Sequence, residues 1–270
     1  MLETWLVVSL ILFAVLVGIV AALIGVGGGF LMVPALVLLL EFASQKAVGT
    51  SSSVIVATSL SAAAAYALQR RIDYKVGLAL AAGTIPGSAL GAYATTFVST
   101  QVLRVLFGLF MMAVSLRMVL SSDKRVSMTP ATRGGWVRNI VDSKGMLFEY
   151  KATMLPGVAF SFLAGVASGL LGIGGGAVMV PVMTLLVGIP MHIAVATSAF
   201  MIVFSSSSAA VTQVIQGNVV FEYAAALALG SIVGAQIGAW LARRIRPGRL
   251  RKVFGAFLFI IGLRMAIPSL

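Results

Sequence analysis

Two stretches of this sequence share one pattern: GVGGGFLMVP at Gly25–Pro34 and GIGGGAVMVP at Gly172–Pro181. Adding 147 to a residue number carries the first stretch onto the second, so that Gly25 becomes Gly172. The same offset aligns the surrounding sequence without a gap. It pairs Ala47-Val48 with Ala194-Val195, Thr50-Ser51 with Thr197-Ser198, and Gly83, Gly87 and Gly91 with Gly230, Gly234 and Gly238. Such a long ungapped register indicates an internal duplication.

The composition is that of a membrane protein. Of the 270 residues, 60% are hydrophobic and only 10% are charged, whereas soluble domains carry about 25% charged residues. The chain has no cysteine and one histidine, which excludes a disulfide framework, a thiol nucleophile and a multi-histidine metal centre. The net charge of +12 comes from basic residues in loops between apolar runs. This distribution is typical of membrane orientation signals rather than of nucleic-acid binding.

Apolar segments alternate with polar loops in both halves. In the first half they are Trp5–Ile24, Phe30–Leu40, Thr50–Gln69, Val76–Val98 and Val105–Leu120. In the second half they are Ala152–Leu171, Ala177–Gly188, Ala194–Gln216, Tyr223–Ala242 and Val253–Ile267. A helix of about 12 residues reaches only about 18 Å, so the second segment of each half is too short to cross a bilayer core of about 30 Å. Each short segment follows a glycine cluster, which predicts a helix broken inside the membrane.

The loop charges predict that the second copy is inverted. Arg70, Arg71 and Lys75 correspond to Gly217, Asn218 and Glu222, whereas Thr96, Phe97 and Ser99 correspond to Arg243, Arg244 and Arg246. Basic loops face the cytoplasm, so equivalent loops lie on opposite sides. We therefore expect an all-α integral membrane protein of two inverted repeats, each of about four to five helices including a glycine-broken pair. Residues 1–120 form the first repeat, 121–151 a cytoplasmic linker and 152–270 the second repeat, with both termini outside.

The glycine clusters are the strongest candidates for a binding site. Glycine permits unusual backbone conformations and close approach, and a loop that leads into a helix presents unpaired N–H groups at the positive end of the helix dipole. This combination binds anions. Near the membrane midplane we expect a substrate site formed by Gly27, Gly28, Gly29, Gly174, Gly175 and Gly176. The alternative is that these glycines serve only close helix packing, which is the reading we favour for the Gly83/87/91 and Gly230/234/238 rows.

Hydroxyl groups follow each short helix. Thr50, Ser51, Thr197 and Ser198 open the third predicted helix of each half, where they either cap the helix or add donors to the anion site. The run Ser205–Ser208 either lines a cavity or bonds across helices, and Gln69 and Gln216 are expected at the interface.

Ionisable residues inside the predicted helices are scarce. Arg117 and Arg264 either snorkel to the surface or attract an anion. His192 is placed in a predicted cytoplasmic loop, and the alternative is that it couples transport to protons. Asp73 and Glu222 lie at loop edges, so we expect no buried carboxylate and hence no cation site or carboxylate proton relay.

The doubled GxGGG–P pattern, the segments AVGTSS and AVATSA and the glycine-rich fourth helix resemble the sulfite exporter TauE/SafE family over nearly the whole chain. The resemblance implies a permease of the bacterial inner membrane that moves sulfite or an organosulfonate anion, typically outward. Many members have no known substrate. The implied partners are a small anion and the lipid bilayer, and no cofactor, metal or nucleic acid is expected. Members usually have about eight predicted helices, so the helix count depends on how the short segments are treated.

Other functional classes fit less well. A passive anion channel would share every motif, and only uphill transport would separate it from a secondary transporter. An intramembrane enzyme would need a nucleophile beside a base, and the single histidine has no GxSG-type serine motif near it. No β-strand precedes Gly25–Gly29, which argues against a nucleotide-binding loop. The transported anion, its direction, the coupling ion and the oligomeric state are left open by the sequence.

Overall fold

The computed structural model describes residues 3–120, 135–242, 244 and 258–267. The helices of the first half are α1 (Thr4–Ile24), α2 (Gly29–Leu38), α3 (Ser44–Leu68), α4 (Tyr74–Ala94) and α5 (Thr100–Leu120). Those of the second half are α6 (Met154–Leu171), α7 (Gly176–Val182), α8 (Met191–Ile215) and α9 (Phe221–Leu241), followed by the helical residues 258–266. Short turns extend two of these helices: a 3-10 turn (Thr95–Phe97) follows α4, and a π-helical turn (Met183–Val187) continues α7.

Six of the described helices are long and apolar enough to cross a membrane: α1, α3, α4, α6, α8 and α9. The helices α2 and α7 are shorter, as predicted, and each begins directly after its glycine cluster. The fold is therefore that of a helical multi-pass membrane protein. One feature was not predicted: an antiparallel hairpin of β1 (Trp136–Val141) and β2 (Leu147–Ala152), which occupies the end of the predicted linker and the first residue of the predicted second repeat.

The two halves interlock through two equivalent helix pairs, with α4 packed on α6 and α9 packed on α1. A Cβ atom added at Gly87 or Gly91 of α4 would lie 2.3 Å from Phe162 O or 2.1 Å from Val166 O. Equivalent glycines of α9 make equivalent contacts with α1. A Cβ atom added at Gly230, Gly234 or Gly238 would lie 2.2, 2.1 or 2.3 Å from the backbone oxygen of Ile11, Val15 or Ile19. The prediction that the glycine rows serve close helix packing is confirmed.

Helices α3 and α8, which are equivalent in the two repeats, cross each other in opposite directions. The N-terminal part of α3 lies beside the residues that follow α8, since Val220 N–H donates to Thr50 Oγ1 at 3.1 Å. Reciprocally, Asp73 N–H, just after α3, donates to Thr197 Oγ1 in α8 at 3.0 Å. These reciprocal contacts between antiparallel helices are those expected from inverted repeats.

The β-hairpin gathers charge at one end of the helix bundle. It contacts the loop between α3 and α4 through Ser143 N–H, which donates to Gln69 O, and the end of the π-helical turn through Thr153 N–H, which donates to Val187 O. We call this the hairpin end. Most of the described basic residues lie here: Arg70, Arg71, Lys75, Arg138, Lys144, Lys151 and Arg244. By the positive-inside rule this end is predicted to be cytoplasmic. Most of the predicted basic loop Arg243–Lys252 lies outside the described residues.

We predict that Gly91→Ala destabilises the protein although alanine favours helices. The added methyl group would overlap Val166 O, and overpacking of this kind costs about 1–3 kcal/mol. The measurement is the midpoint of thermal unfolding in detergent. Ala82→Leu, on the exposed side of the same helix, is the matched control and should leave the midpoint unchanged. An unchanged midpoint for Gly91→Ala would show that α4 and α6 are not packed closely enough at Gly91 to exclude a methyl group.

We also predict that the hairpin and Gly217 lie on opposite sides of the membrane. Because the chain contains no cysteine, Lys144→Cys and Gly217→Cys each provide a single exposed thiol. A membrane-impermeant maleimide added to intact cells should label residue 217 but should reach residue 144 only after permeabilisation. Labelling of both thiols from the same side would contradict the inverted arrangement.

Candidate functional site

The two glycine loops have a backbone conformation that only glycine adopts without strain. Gly27 and Gly28 have φ of +94° and +92°, and the equivalent Gly174 and Gly175 have φ of +83° and +75°. Side chains with a Cβ atom disfavour these left-handed angles. The glycines therefore produce the sharp break between α1 and α2 and between α6 and α7.

The structure brings the two glycine loops into direct contact. A Cβ atom added at Gly29 would lie 2.0 Å from Gly172 O, and one added at Gly176 would lie 2.1 Å from Gly25 O. Backbone therefore packs on backbone in both directions. The loops also touch Ile55 and Ile202, which lie near the middle of α3 and α8. The two glycine loops therefore meet beside the middle of α3 and α8, as predicted.

Several backbone N–H groups at the start of α2 and α7 have no hydrogen-bond acceptor among the described residues. The first helical hydrogen bonds of α2 run from Leu31 and Met32 N–H to Gly28 O, and those of α7 run from Val178 and Met179 N–H to Gly175 O. Among the described residues, no acceptor pairs with the N–H groups that precede these bonds. They belong to Gly27, Gly28, Gly29 and Phe30 and to the equivalent Gly174, Gly175, Gly176 and Ala177. Unpaired donors at a helix start attract negative charge.

The hydroxyl residues are placed differently from the prediction. Helices α3 and α8 begin at Ser44 and Met191, so the predicted helix openers lie inside the helices and cap neither. They are completely buried and bond to the opposite repeat. Ser51 Oγ donates to Gly172 O at 2.9 Å and Ser198 Oγ donates to Gly25 O at 2.8 Å. Thr50 and Thr197 accept the N–H groups of Val220 and Asp73 described above, which leaves each threonine O–H able to donate elsewhere.

The serine run in α8 is used mainly within the fold. Ser206 and Ser207 donate to the backbone of their own helix, to Ile202 O and Val203 O. Ser208 instead donates across to Ile85 O of α4 at 3.0 Å, and the equivalent Ser61 donates to Ile232 O. Of the two alternatives for this run, bonding across helices is therefore realised at Ser208.

The glutamines at the ends of α3 and α8 also bond to the opposite repeat. Gln69 Nε2 donates to Ala239 O at 2.9 Å, and the equivalent Gln216 Nε2 donates to Ala92 O at 3.3 Å. Gln69 lies at the end of α3, as predicted, but its side chain is only 4% exposed. Burial follows because the side chain reaches inward to the end of α9.

The basic residues considered in the sequence analysis, Arg117, Arg264 and His192, lie away from the glycine loops or have side chains outside the described residues. Arg264 is exposed, which fits the snorkelling alternative. The side chain of Arg117 lies outside the described residues. His192 lies in the first turn of α8 rather than in a loop, and its side chain is exposed.

The expectation of no buried carboxylate is wrong at the hairpin end. Asp73, which caps α4 through Val76 N–H, is covered by the hairpin. Its carboxylate also accepts hydrogen bonds from Arg138 Nε and Nη2, both at 2.8 Å, and from the Tyr150 hydroxyl. Burial alone would raise the pKa of Asp73, but the bonds from Arg138, Tyr150 and Val76 N–H outweigh burial and hold the pKa below its usual value.

A second buried carboxylate belongs to the hairpin itself. Asp142 accepts from Arg71 Nη2 at 3.0 Å and from the N–H groups of Lys144 and Met146 in the hairpin turn. Burial acts to raise the pKa of Asp142, and these bonds lower it below its usual value. A signal for the hairpin was present in the sequence, since the turn residues DSKG separate two runs rich in branched and aromatic residues.

Comparison with known proteins identifies the group to which the chain belongs. The sequence profile described as Sulfite exporter TauE/SafE matches residues 10–265. A probable membrane transporter protein of Bacillus subtilis, YunE, is 36% identical over 267 residues, covering 96% of each chain. A probable membrane transporter protein of Methanocaldococcus jannaschii is 27% identical over 273 residues, covering 96% of this chain and 94% of the relative.

More distant relatives match over a shorter segment. Sulfite exporter TauE/SafE family protein 1 of Arabidopsis thaliana is 35% identical over 118 residues, which is 43% of this chain and 25% of the plant protein. No solved structure matches the chain. The family profile spans both glycine loops and nearly all of the described helices, and the bacterial relative matches end to end. This chain is therefore a multi-pass membrane transporter protein of the sulfite exporter TauE/SafE family.

Proposed function

We propose that this transporter is a secondary permease that moves a small anion of the sulfite or organosulfonate class outward across the inner membrane. The anion binds between the two glycine loops, Gly27–Gly29 and Gly174–Gly176. One observation carries the proposal: two sets of backbone N–H groups, for which no described residue provides an acceptor, lie side by side in the interior of an apolar helical protein. The names of the plant relatives, which are called sulfite exporters, support the substrate class.

The charge distribution around the loops favours an anion. Each set of N–H groups lies at the start of a helix, where the helix dipole adds partial positive charge. The carbonyls of Gly25 and Gly172, which approach the opposite loop, already accept hydrogen bonds from Ser198 and Ser51. Their partial negative charge is thereby partly offset. Both buried carboxylates described above are paired with arginines at the hairpin end, so neither opposes a central anion.

Neutral donors suit a transporter better than a fixed cation would. A buried arginine or lysine would bind an anion through full charge pairing and slow its release. Backbone N–H groups provide weaker bonds that can be exchanged for water. Thr50 and Thr197, whose O–H groups are left to donate, supply two further hydroxyl ligands next to Ser51 and Ser198.

Transport requires the glycine loops to separate and close again. They touch in this conformation, so an anion reaches the donors only when one repeat moves relative to the other. Because the loops are held by reciprocal bonds from α3 and α8, a small movement of either helix shifts the opposite loop. The membrane potential favours anion exit by about 2.3 kcal/mol per charge for every 100 mV, which supports outward transport without ATP.

We predict that Gly28→Val and Gly175→Val abolish transport. Valine is strained at φ of +92° or +75°, and its Cβ atom would crowd Val17 and Ala21 of α1 or Ser168 of α6, so the loop could not keep its shape. The measurement is flux of labelled sulfite and of a labelled organosulfonate anion in proteoliposomes, and movement against the anion's own electrochemical gradient distinguishes a transporter from a channel. Gly217→Val, at φ of +70° in open space, is the control for backbone strain alone and should transport normally. Normal flux in both loop variants at equal reconstitution would show that the anion binds elsewhere.

We predict a smaller effect for Thr50→Val and Thr197→Val. One hydroxyl bond is worth about 1 kcal/mol, so the apparent affinity for the anion should fall roughly fivefold. Thr50→Ser and Thr197→Ser keep the hydroxyl and should restore affinity. The check is the concentration dependence of sulfite flux. If serine and valine variants behave alike, the hydroxyls are not ligands.

A further inference from the structure

The β-hairpin docks on the bundle through both backbone and side chains. Its buried face, formed by Tyr150 and Ala152, packs on Val76 and Leu80 of α4 and on Val187 and other apolar residues that precede and begin α8. The hairpin therefore covers the hairpin end of the region between α4 and α8. The second repeat has no corresponding feature among the described residues.

Two ion pairs fasten the hairpin in a crossed arrangement. Arg138 of the hairpin pairs with Asp73 of the bundle, and Asp142 of the hairpin pairs with Arg71 of the bundle, at 2.8 Å and 3.0 Å. The side chains of Asp73 and Asp142 are 0% and 1% exposed. Undocking the hairpin would leave one bundle residue of each charge without its partner, so the released state needs other contacts for them.

The equivalent residues at the opposite end show where Arg71 can go. Adding 147 relates Gln69 to Gln216 and Arg71 to Asn218. At that end Asn218 Nδ2 donates to Gln216 Oε1 at 3.1 Å. At the hairpin end, Gln69 Oε1 is one of two buried side-chain nitrogen or oxygen atoms among the described residues with no hydrogen-bond partner. Arg71 is instead directed to Asp142. Gln69 Oε1, which corresponds to the acceptor of Asn218, therefore receives no hydrogen bond from Arg71.

We propose that the hairpin is a gate and that Arg71 switches between two acceptors, Asp142 in the docked state and Gln69 Oε1 in the released state. The gate is connected to a glycine loop. Asp73, held by the hairpin, donates through its N–H to Thr197, and the adjacent Ser198 holds Gly25 O. Release of Asp73 therefore loosens the contact between the loops. The gating role rests on the proposed transport function, whereas the docking equilibrium does not.

The experiment measures docking directly, without any anion. Ala152→Cys places a single thiol on the completely buried hairpin face, and its rate of maleimide labelling in detergent reports how often the hairpin is released. Asp142→Asn removes the charge but keeps an oxygen for the turn N–H groups, so it weakens only the bond to Arg71. Labelling of residue 152 should become at least about tenfold faster, which corresponds to about 1.4 kcal/mol.

A second variant tests the alternative acceptor. Gln69→Glu offers Arg71 a carboxylate in place of the vacant amide oxygen, so it should also accelerate labelling of residue 152 at least about tenfold. Gln216→Glu, which loses the equivalent amide donor at the opposite end, is the matched control and should leave the rate unchanged.

Two outcomes would overturn the proposal. Unchanged labelling of residue 152 in both variants would show that Arg71 does not control docking. A second reporter, Ala47→Cys, lies completely buried at the opposite end of α3. If the variants expose residue 47 as much as residue 152, the ion pair stabilises the whole fold and the hairpin is no separate gate. Because neither rate depends on flux, loss of the proposed transport function would leave this test intact.

Discussion

Direct contact between two unwound backbone segments, in the interior of an apolar protein, is the constraint on which the rest of the structure depends. Unwound backbone is tolerated in a membrane only where protein or a watery cavity surrounds it. Here each glycine loop is covered by the other. No side chain fits at Gly29 or Gly176, because the carbonyl of Gly172 or Gly25 is too close. The carbonyls of Gly25 and Gly172 accept hydrogen bonds from serines of α8 and α3. The N–H groups at the start of α2 and α7 find no acceptor in the described part of the chain, and the proposed anion site rests on this difference.

The two halves complete each other rather than fold side by side. Serine, threonine and glutamine side chains of one repeat bond to the backbone of the other, and each bond recurs at the equivalent residues. The close glycine contacts between α4 and α6 likewise recur at equivalent residues between α9 and α1. Because Ser51 of α3 bonds to one loop and Ser198 of α8 bonds to the other, a shift of α3 against α8 would affect both loops at the same time. The hairpin, which has no counterpart at the opposite end among the described residues, makes the two ends of the helix bundle different.

Much of this arrangement could be predicted from the sequence, for identifiable physical reasons. The ungapped offset of 147 residues and the hydropathy pattern located the helices and the glycine breaks. The start of α3 was misplaced because the segment Ser44–Gly49 contains a lysine and two other polar side chains and does not resemble a membrane helix. The hydroxyls of Thr50 and Ser51 could not be assigned, since their partners lie 170 and 121 residues away along the chain. The ion pairs of the hairpin join residues 65 and 71 positions apart, and charges in loops are ordinarily solvated.

The most direct test of the central claim is the position of a bound anion that can be located unambiguously. Selenite has the shape and charge of sulfite and contains a strong anomalous scatterer. Diffraction from crystals grown with selenite, measured at the selenium edge, should show one peak between Gly27–Gly29 and Gly174–Gly176. Its oxygens should lie within about 3 Å of backbone nitrogens from both loops. A peak far from both loops, with the two glycine segments still in contact, would contradict the account.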